Sequence, residues 1–304
     1  MRKVYLLTVG ILLSLVVSAQ RDFQVNQFMY DKVNVNPAFV GANYTSTVSL
    51  IDNSLLGGGG QIASGQVARA TAKLLDTGVG LGVSFEGFTV GDFEATEMSA
   101  IYSYHSRVGD EQYLSFGLEG SFRTITSSLF ANEFQPPITI VGGNANFGGL
   151  YYDQSLYIGV SAQNMLGNQI EDPFGGDIPL SSGKRLFRGQ VGAAFSLGGE
   201  SELQPNVQVA YVTEAPIGYD VNVMYVWKRT FSGGLSYRYA DFPEAITRNN
   251  IDLILQMKVN KSLRIGTGFT FPQASASVQS GGGEVSVIWV WSAEERPFQE
   301  LPFF

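Results

Sequence analysis

Gly78-Val79-Gly80-Leu81-Gly82-Val83-Ser84-Phe85-Glu86 sets an apolar side chain at every second position and puts glycine, serine or glutamate between them. Successive side chains of a β-strand point to opposite faces, so this spacing makes a ribbon with one greasy side and one polar side. The same period governs the chain on both flanks. Met98, Ala100, Tyr102 and Tyr104 alternate with Ser99, Ser103 and His105, with Ile101 out of the polar register. Ile251, Leu253, Leu255, Met257 and Val259 alternate with Asp252, Gln256 and Lys258, and Leu263, Ile265, Phe269 and Phe271 with Arg264, Gly266, Gly268 and Thr270. No stretch sustains the period of a helix.

Between residues 44 and 292 the pattern predicts about fourteen strands, most of them as long as the ~9–11 residues a tilted strand needs to cross a bilayer. The predicted connectors fall into two alternating sets. Residues 52–60, 89–92, 125–141, 165–183, 214–217, 241–248 and 273–283 form the long set, and 75–77, 108–110, 153–154, 198–202, 228–229 and 260–261 the short one. Long outer loops and short periplasmic turns are the habit of outer-membrane barrels. The alternation stays in phase along the chain, which implies an even strand number and a periplasmic N-terminus. An unpaired backbone group in hydrocarbon costs several kcal/mol, so a spanning sheet must close. The expected fold is therefore all-β, a transmembrane antiparallel β-barrel with long extracellular loops. Tyr151, Tyr152, Tyr225, Trp227, Tyr237, Tyr239, Trp289 and Trp291 near strand ends fit interfacial girdles. The alternative is an exported soluble sandwich, which would have to bury all of these one-sided ribbons in one globule.

Composition agrees with export to a membrane. Only 15% of the 304 residues are charged, against about 25% in a soluble domain, and 36 are glycine. A net charge of -8 argues against nucleic acid, whose sites need clustered Lys and Arg. With no cysteine and one histidine, disulfides, thiolate chemistry and His-rich metal sites are excluded. Arg2 and Lys3, the apolar run Val4 to Val17, and Val17-Ser18-Ala19 read as a signal peptide over residues 1–19. The expected organisation is then a periplasmic or plug segment at 20–43, the barrel at 44–292 and a tail at 293–304.

Candidate chemistry is sparse. His105 falls on the lumen side of its strand, with Ser103 beside it and Ser106 on the opposite face, and no motif surrounds them. Glu171, Asp172 and Asp177 offer oxygen ligands in one loop but lack a calcium-loop pattern. No catalytic residue, cofactor or metal ligand is assigned. The glycines Gly78, Gly80, Gly82, Gly117, Gly192, Gly266 and Gly268 would face the lumen, leaving room for a plug or an incoming polypeptide, or relieving coiling strain. Ahead of the first strand, residues 24–41 mix Asn, Gln and aromatics without a clear period, and Asn36-Pro37 marks a turn. Such a segment needs partners for its amides, which suggests packing in or under the barrel.

That segment also carries a resemblance. Gln27-Phe28-Met29 followed by Asn36-Pro37-Ala38-Phe39-Val40-Gly41 resembles the start of the mature chain in the PorP/SprF family of type IX secretion membrane proteins of Bacteroidetes. Tyr157-Ile158-Gly159-Val160-Ser161 with Asn164, Leu203-Gln204-Pro205-Asn206, and Trp227 through Gly234-Leu235-Ser236-Tyr237-Arg238 are further echoes. After Leu263-Arg264-Ile265-Gly266 the chain departs, with Phe269-Thr270-Phe271-Pro272 where the family often has Tyr-Ser-Tyr-Asp. The resemblance implies an integral outer-membrane barrel without enzymatic activity. It would bind a secreted surface protein or gliding adhesin through a type B C-terminal domain, with other secretion components as further partners, and support its export or surface retention. Gln27, Phe28, Met29, Asn36, Pro37, Ala38 and Gly41 would form the structural or docking motif. Phe130, Phe134, Glu171, Asp172, Phe174 and Asp177 are the candidate partner-binding loop residues. A passive channel for small solutes is the alternative.

Overall fold

A computed structural model of the chain describes residues 29–42, 46–57, 60–74, 77–128, 136–166, 185–212, 217–239, 249–273 and 279–291. Two 3-10 turns, Lys32–Asn34 and Pro37–Phe39, precede the sheet. The strands are β1 (Ser46–Gly57), β2 (Gly60–Leu74), β3 (Val79–Val90), β4 (Phe93–Gly109), β5 (Gln112–Ser127), β6 (Ile138–Tyr152), β7 (Leu156–Gln163) and β8 (Leu186–Ala193). The remainder are β9 (Phe195–Gly198), β10 (Ser201–Val212), β11 (Gly218–Trp227), β12 (Phe231–Tyr239), β13 (Asn249–Lys258), β14 (Leu263–Pro272) and β15 (Gln279–Trp291).

Every strand pairs antiparallel with its sequence neighbour, and β1 returns to β15 with Val48 opposite Trp289 and Ile51 opposite Ser286. The sheet is thereby closed, and no edge is left to face lipid. β8 and β9 make one stave. Gly192 opposite Asn206 and Phe195 opposite Leu203 keep the same register across Ala194, whose N–H turns aside to Ser155 O at 2.9 Å. The barrel therefore has fourteen staves.

Burial alternates along the staves as the period-two reading requires. Val83, Phe85, Met98, Phe116, Leu118 and Phe122 are exposed on the outer face, while Ser99, Ser103, His105, Ser115 and Ser121 are buried on the inner one. A large apolar exterior around a polar interior is the inverse of a soluble protein, and lipid is the solvent that accepts it. Ile101, out of place in the sequence pattern, is buried inside the barrel. It sits on the inner face beside polar neighbours, as Ile51, Val67 and Ile254 do on other staves.

The polar face satisfies itself largely through cross-strand pairs. Arg238 meets Asp220 at 2.8 Å, Ser236 donates to Asp220 at 2.5 Å, Asn53 donates to Glu284 at 2.8 Å and Thr270 donates to Asp252 at 2.7 Å. Each of these partners lies within the wall, so the ion pairs cross the lumen face and not its width.

Three expectations need correction. The connectors expected at 52–60 and 89–92 are not long loops: β1 and β2 pair down to Gly57 opposite Gly60, and β3 and β4 down to Val90 opposite Phe93. Leu55 and Leu56 continue the alternation there, and Gly91 closes the second turn with φ 53°. The rim asymmetry instead rests on the connectors from β5 to β6, from β7 to β8 and from β12 to β13, which span residues 128–137, 164–185 and 240–248. Tyr152 is not a girdle residue. It is buried inside, because β6 places Tyr151 outward and Tyr152 inward at the short-connector rim. The other expected girdle tryptophans, Trp227, Trp289 and Trp291, are exposed.

Candidate functional site

Residues 29–42 lie inside the barrel. Met29, Val35, Ala38, Phe39, Val40 and Ala42 are buried, although all precede the first strand. Short turns of this kind leave several backbone carbonyls without an internal partner, so the wall must supply donors. It does so at Asn34, Val35, Ala38 and Val40. Gln163 Nε2 donates to Asn34 O at 3.2 Å, Ser161 Oγ to Val35 O at 2.6 Å and Ser115 Oγ to Ala38 O at 2.8 Å. Val40 O accepts from Ser103 Oγ and, at 2.7 Å, from His105 Nε2.

Asn36 organises the centre of this plug. Its Oδ1 accepts from Ala38 N at 2.9 Å, capping the turn that Pro37 begins with its preset φ. Its Nδ2 donates to Gly149 O and Val160 O, each at 3.2 Å, on the adjacent staves β6 and β7. One amide thus fixes the turn and moors it to the wall.

The wall is shaped to receive the backbone. A Cβ on Gly117 would stand 2.6 Å from Ala38 Cα, so only glycine lets the plug come this close. Gly41 has φ +74° and any Cβ there would lie 2.7 Å from Gly80 Cα, so two glycines meet at the last contact before β1. Phe39 packs edge-on to Tyr157 with ring centroids 5.4 Å apart, within an apolar cluster of Ala38, Ala42, Leu150 and Tyr152. A second cluster joins Met29 and Val35 to Met224 and Ile254 on the opposite side of the barrel. The plug therefore spans the lumen, touching β6 and β7 at one side and β11 and β13 at the other.

Charge adds a latch. Arg69 grips both carboxylate oxygens of Asp31, meets Glu86 at 2.9 Å and reaches Asn34 Oδ1 at 3.3 Å, with Arg69 and Asp31 both buried. Breaking such a pair from one side strands a buried charge, which makes the latch hard to open by halves. Lys32, on the same turn, donates from Nζ to Met29 O at 2.6 Å and lies 5.4 Å from the Tyr157 ring. Burial pulls its ammonium down to about 7, against the opposing attraction of Asp31. Withdrawal from water pushes the Tyr30 phenol up to about 12, with its hydrogen bond to Ser232 Oγ at 2.9 Å working the other way.

His105 has a structural setting. With Nε2 donating to Val40 O, Nδ1 accepts from Tyr152 Oη at 3.0 Å, and Ser103 Oγ lies 3.1 Å from Nε2. One ring nitrogen thereby holds the plug, and the other is fixed by the wall.

Of the residues singled out from sequence, Met29, Asn36, Pro37, Ala38 and Gly41 are all part of this plug. Gln27 and Phe28 lie outside the described residues, as do the loop residues Phe130, Phe134, Glu171, Asp172, Phe174 and Asp177. Sequence reasoning did not single out Arg69, Ser115, Gln163 or Gln190, and it took Tyr157 and Ser161 only as an echo of the family, without a plug contact. Ser115, Ser161, Gln163 and Gln190 alternate with apolar neighbours, which marks their face, but nothing in their local sequence says which lumen residues meet the plug.

No curated protein matches the chain in sequence. Among solved structures, the chain is similar to the monoaromatic hydrocarbon channel CymD, with 11% identity, TM-score 0.55, and coverage of 89% of this chain and 94% of that one. It is similar to the toluene transporter TodX of Pseudomonas putida at 8% identity and TM-score 0.52, over 90% and 94% of the two chains. The outer-membrane protein Omp33 of Acinetobacter baumannii matches at 9% identity and TM-score 0.52, over 83% and 100%. At such identities the likeness establishes the outer-membrane barrel fold and nothing of the cargo. The family described as type IX secretion system membrane protein PorP/SprF matches residues 17–288. That span takes in the plug and all of the closed barrel but the last three residues of β15, and the chain belongs to the PorP/SprF family.

Proposed function

We propose that this barrel is a non-enzymatic accessory and anchor for a type IX-secreted surface protein. It binds that protein through a type B C-terminal domain at its long-connector rim and supports its export or retention at the surface. The short-connector rim and the N-terminus face the periplasm in this reading. The observation that carries it is the plug: residues 29–42 cross the lumen and are bonded to both sides of the wall, so free passage of solutes is a poor use for this barrel. Its function then resides at the rims, where Phe130, Phe134, Glu171, Asp172, Phe174 and Asp177 provide a mixed aromatic and acidic docking surface. β6 pairs with β7 only from Phe147 to Tyr152, so among the described residues its stretch from Ile138 to Asn146 runs on beside β5 alone at the long-connector rim. A C-terminal β domain could pair its main chain there, with side chains setting specificity.

Co-purification from native membrane tests the proposal. One large secreted protein is expected with the barrel, and deletion of residues 165–183 is expected to release it into the medium. A bare barrel under mild detergent, with the surface proteins unchanged after knockout, overturns it. The solute-channel reading draws on the hydrocarbon channels of similar fold. Planar-bilayer recording separates the two: a silent barrel fits the anchor, and a steady open conductance fits the channel.

A further inference from the structure

All three tryptophans of the chain, Trp227, Trp289 and Trp291, are exposed on the outer face at the short-connector ends of β11 and β15. Trp227 stands opposite Phe231, and Phe231 opposite Met257, so exposed apolar side chains form a continuous shelf across β11, β12 and β13. Cations border this shelf. The Lys228 ammonium lies 5.2 Å from the centre of the outward-facing Trp227 ring, which turns it to the lipid side and away from the lumen. Arg229, by contrast, lines the lumen and meets Glu202 at 3.5 Å. Lys261 is exposed at the tip of the next hairpin, and Lys258 N–H donates to Thr230 O at 2.7 Å, which ties the two turns side by side. Strands lie about 4.8 Å apart, so neighbouring hairpin tips are separated by about 10 Å, a gap that two lysine side chains can close on one phosphate. Among the described residues neither Lys228 nor Lys261 has an ion-pair partner.

The backbone here favours charge over an easy turn. Thr230 N–H donates to Trp227 O at 3.0 Å, and Lys228 and Arg229 between them have φ 52° and 49°. Turns that are left-handed at both central positions ordinarily hold Asn-Gly or Gly-Gly, which adopt that backbone with little strain. Two long cations hold it instead, a strain of the kind that collects at functional sites. The other side of the same rim has the opposite sign: Asp110, Glu111 and Asp153 sit in its turns, and Arg107 is held by Asp110 at 3.3 Å.

We propose that an anionic phospholipid binds at this corner, its phosphate between Lys228 and Lys261 and its acyl chains on Trp227, Phe231 and Met257. Basic residues beside a bilayer attract anionic headgroups, and an indole at headgroup depth steadies the cation that lies on it. The apolar shelf under the cations is what a lipid uses and a soluble anion does not. In the orientation proposed above this rim meets the phospholipid leaflet. The binding assay does not depend on that orientation, so it and the co-purification of a secreted protein fail independently.

Trp289→Phe with Trp291→Phe leaves Trp227 as the one indole of the full barrel, which is then reconstituted in phosphatidylcholine vesicles. Phosphatidylglycerol or phosphatidylcholine with brominated acyl chains is added, and quenching of Trp227 reports which lipid lies against it. Brominated phosphatidylglycerol is expected to quench at a mole fraction about fivefold or more lower than brominated phosphatidylcholine. Lys228→Gln with Lys261→Gln should remove that preference, and Arg107→Gln, on the far side of the rim, should leave it. Lys228→Asn with Arg229→Gly should weaken the preference while raising the temperature at which compact migration in unboiled gels is lost, because the turn is then relaxed. Weaker binding in a better-folded barrel separates lipid contact from damage, and this second variant serves alone should the first fail to fold. Equal quenching by the two lipids overturns the proposal, as does an unchanged preference in a folded lysine variant. Loss of the preference on adding inorganic phosphate at constant ionic strength also overturns it, because the site would then take any phosphate.

Discussion

Replacing Asn36 by Ala should release the plug while leaving the barrel intact. The side chain is fully buried and makes three hydrogen bonds, one from Ala38 N and one each to Gly149 O and Val160 O. A buried hydrogen bond contributes about 1–1.5 kcal/mol net, so their loss costs about 3–4 kcal/mol. At 1.4 kcal/mol per decade, the ratio of docked to released plug falls about a hundredfold to a thousandfold. Trypsin reads this directly, since Lys32 is buried in the docked plug and the Lys32–Val33 bond is cut only when it leaves. Where opening and closing are fast, the cleavage rate follows the released population. Cleavage at Lys32 should therefore rise by about the same hundredfold or more, with the strands still resistant and migration in unboiled gels unchanged. Asn36→Asp sharpens the test. The carboxylate still accepts from Ala38 N but has no N–H for the two strand carbonyls, so it should release the plug too. If capping alone mattered, Asn36→Asp would be silent. Unchanged cleavage in Asn36→Ala refutes the mooring argument, and loss of compact migration refutes the premise that plug and barrel are separable.

Gly117→Ala should expose Lys32 to trypsin through its clash with Ala38, whereas Gly120→Ala, where a Cβ meets nothing within 4 Å, should not. Arg69→Leu strands the buried Asp31 carboxylate at a cost of about 3–5 kcal/mol, and adding Asp31→Asn should recover a large part of it in the same cleavage assay. Docking should depend on pH through Lys32, held near 7 in the plug and returning to 10.5 when solvated. The released state binds the extra proton between these values, so docking strengthens as pH rises from 7 and is flat below it. Tyr30, raised from 10.0 to about 12, acts in the opposite sense above pH 10. Opening events in planar bilayers should thus be rarest near pH 10, and Lys32→Met should remove the slope between 7 and 10. Leu118→Arg, on the outer face midway along β5, should destabilise the barrel in denaturant titration by about 2–4 kcal/mol in lipid. The same change in a sandwich core would have to be buried, and a neutral result would argue against lipid on that face.

The barrel was legible because its signal is repeated. Each stave carries the same alternation, and the lipid solvent demands closure, so one residue that breaks the pattern, such as Ile101, does not alter the outcome. The hairpin tips were less legible. Leu55, Leu56 and the glycines after them are compatible with either strand or loop, and only cross-strand pairing with β2 and β15 decides. Tyr152 was misread for a related reason: at a strand end the two faces differ by one residue, and aromatic character does not distinguish a girdle from a lumen wall. The plug was half legible. Asn36-Pro37 announces a turn, and the period-two pattern puts Gly117 on the inner face. That the turn seats against that glycine is set by contacts between residues about eighty positions apart, which no local period encodes.

These observations combine into an argument about what kind of machine a plugged barrel is. A channel's wall needs only to be polar and wide, and its glycines would be interchangeable with serine or alanine. Here Gly117 and Gly148 lie where a side chain would strike the Asn36–Ala38 turn, and Gly80 where it would strike Val40. The polar wall is likewise specific, since Ser115, Ser161 and Gln163 each aim at one plug carbonyl. A wall fitted this closely to a segment of its own chain restricts what can pass through it. The strands that hold the plug, β5, β6 and β7 among them, also run on to the long connectors, so a mechanical link between the two rims is testable. The test of that coupling is simultaneous: a barrel carrying Asn36→Ala should lose affinity for the surface partner proposed above only if the plug sets the shape of the far rim. Unchanged partner retention with a released plug would mean that the lumen and the docking surface act separately.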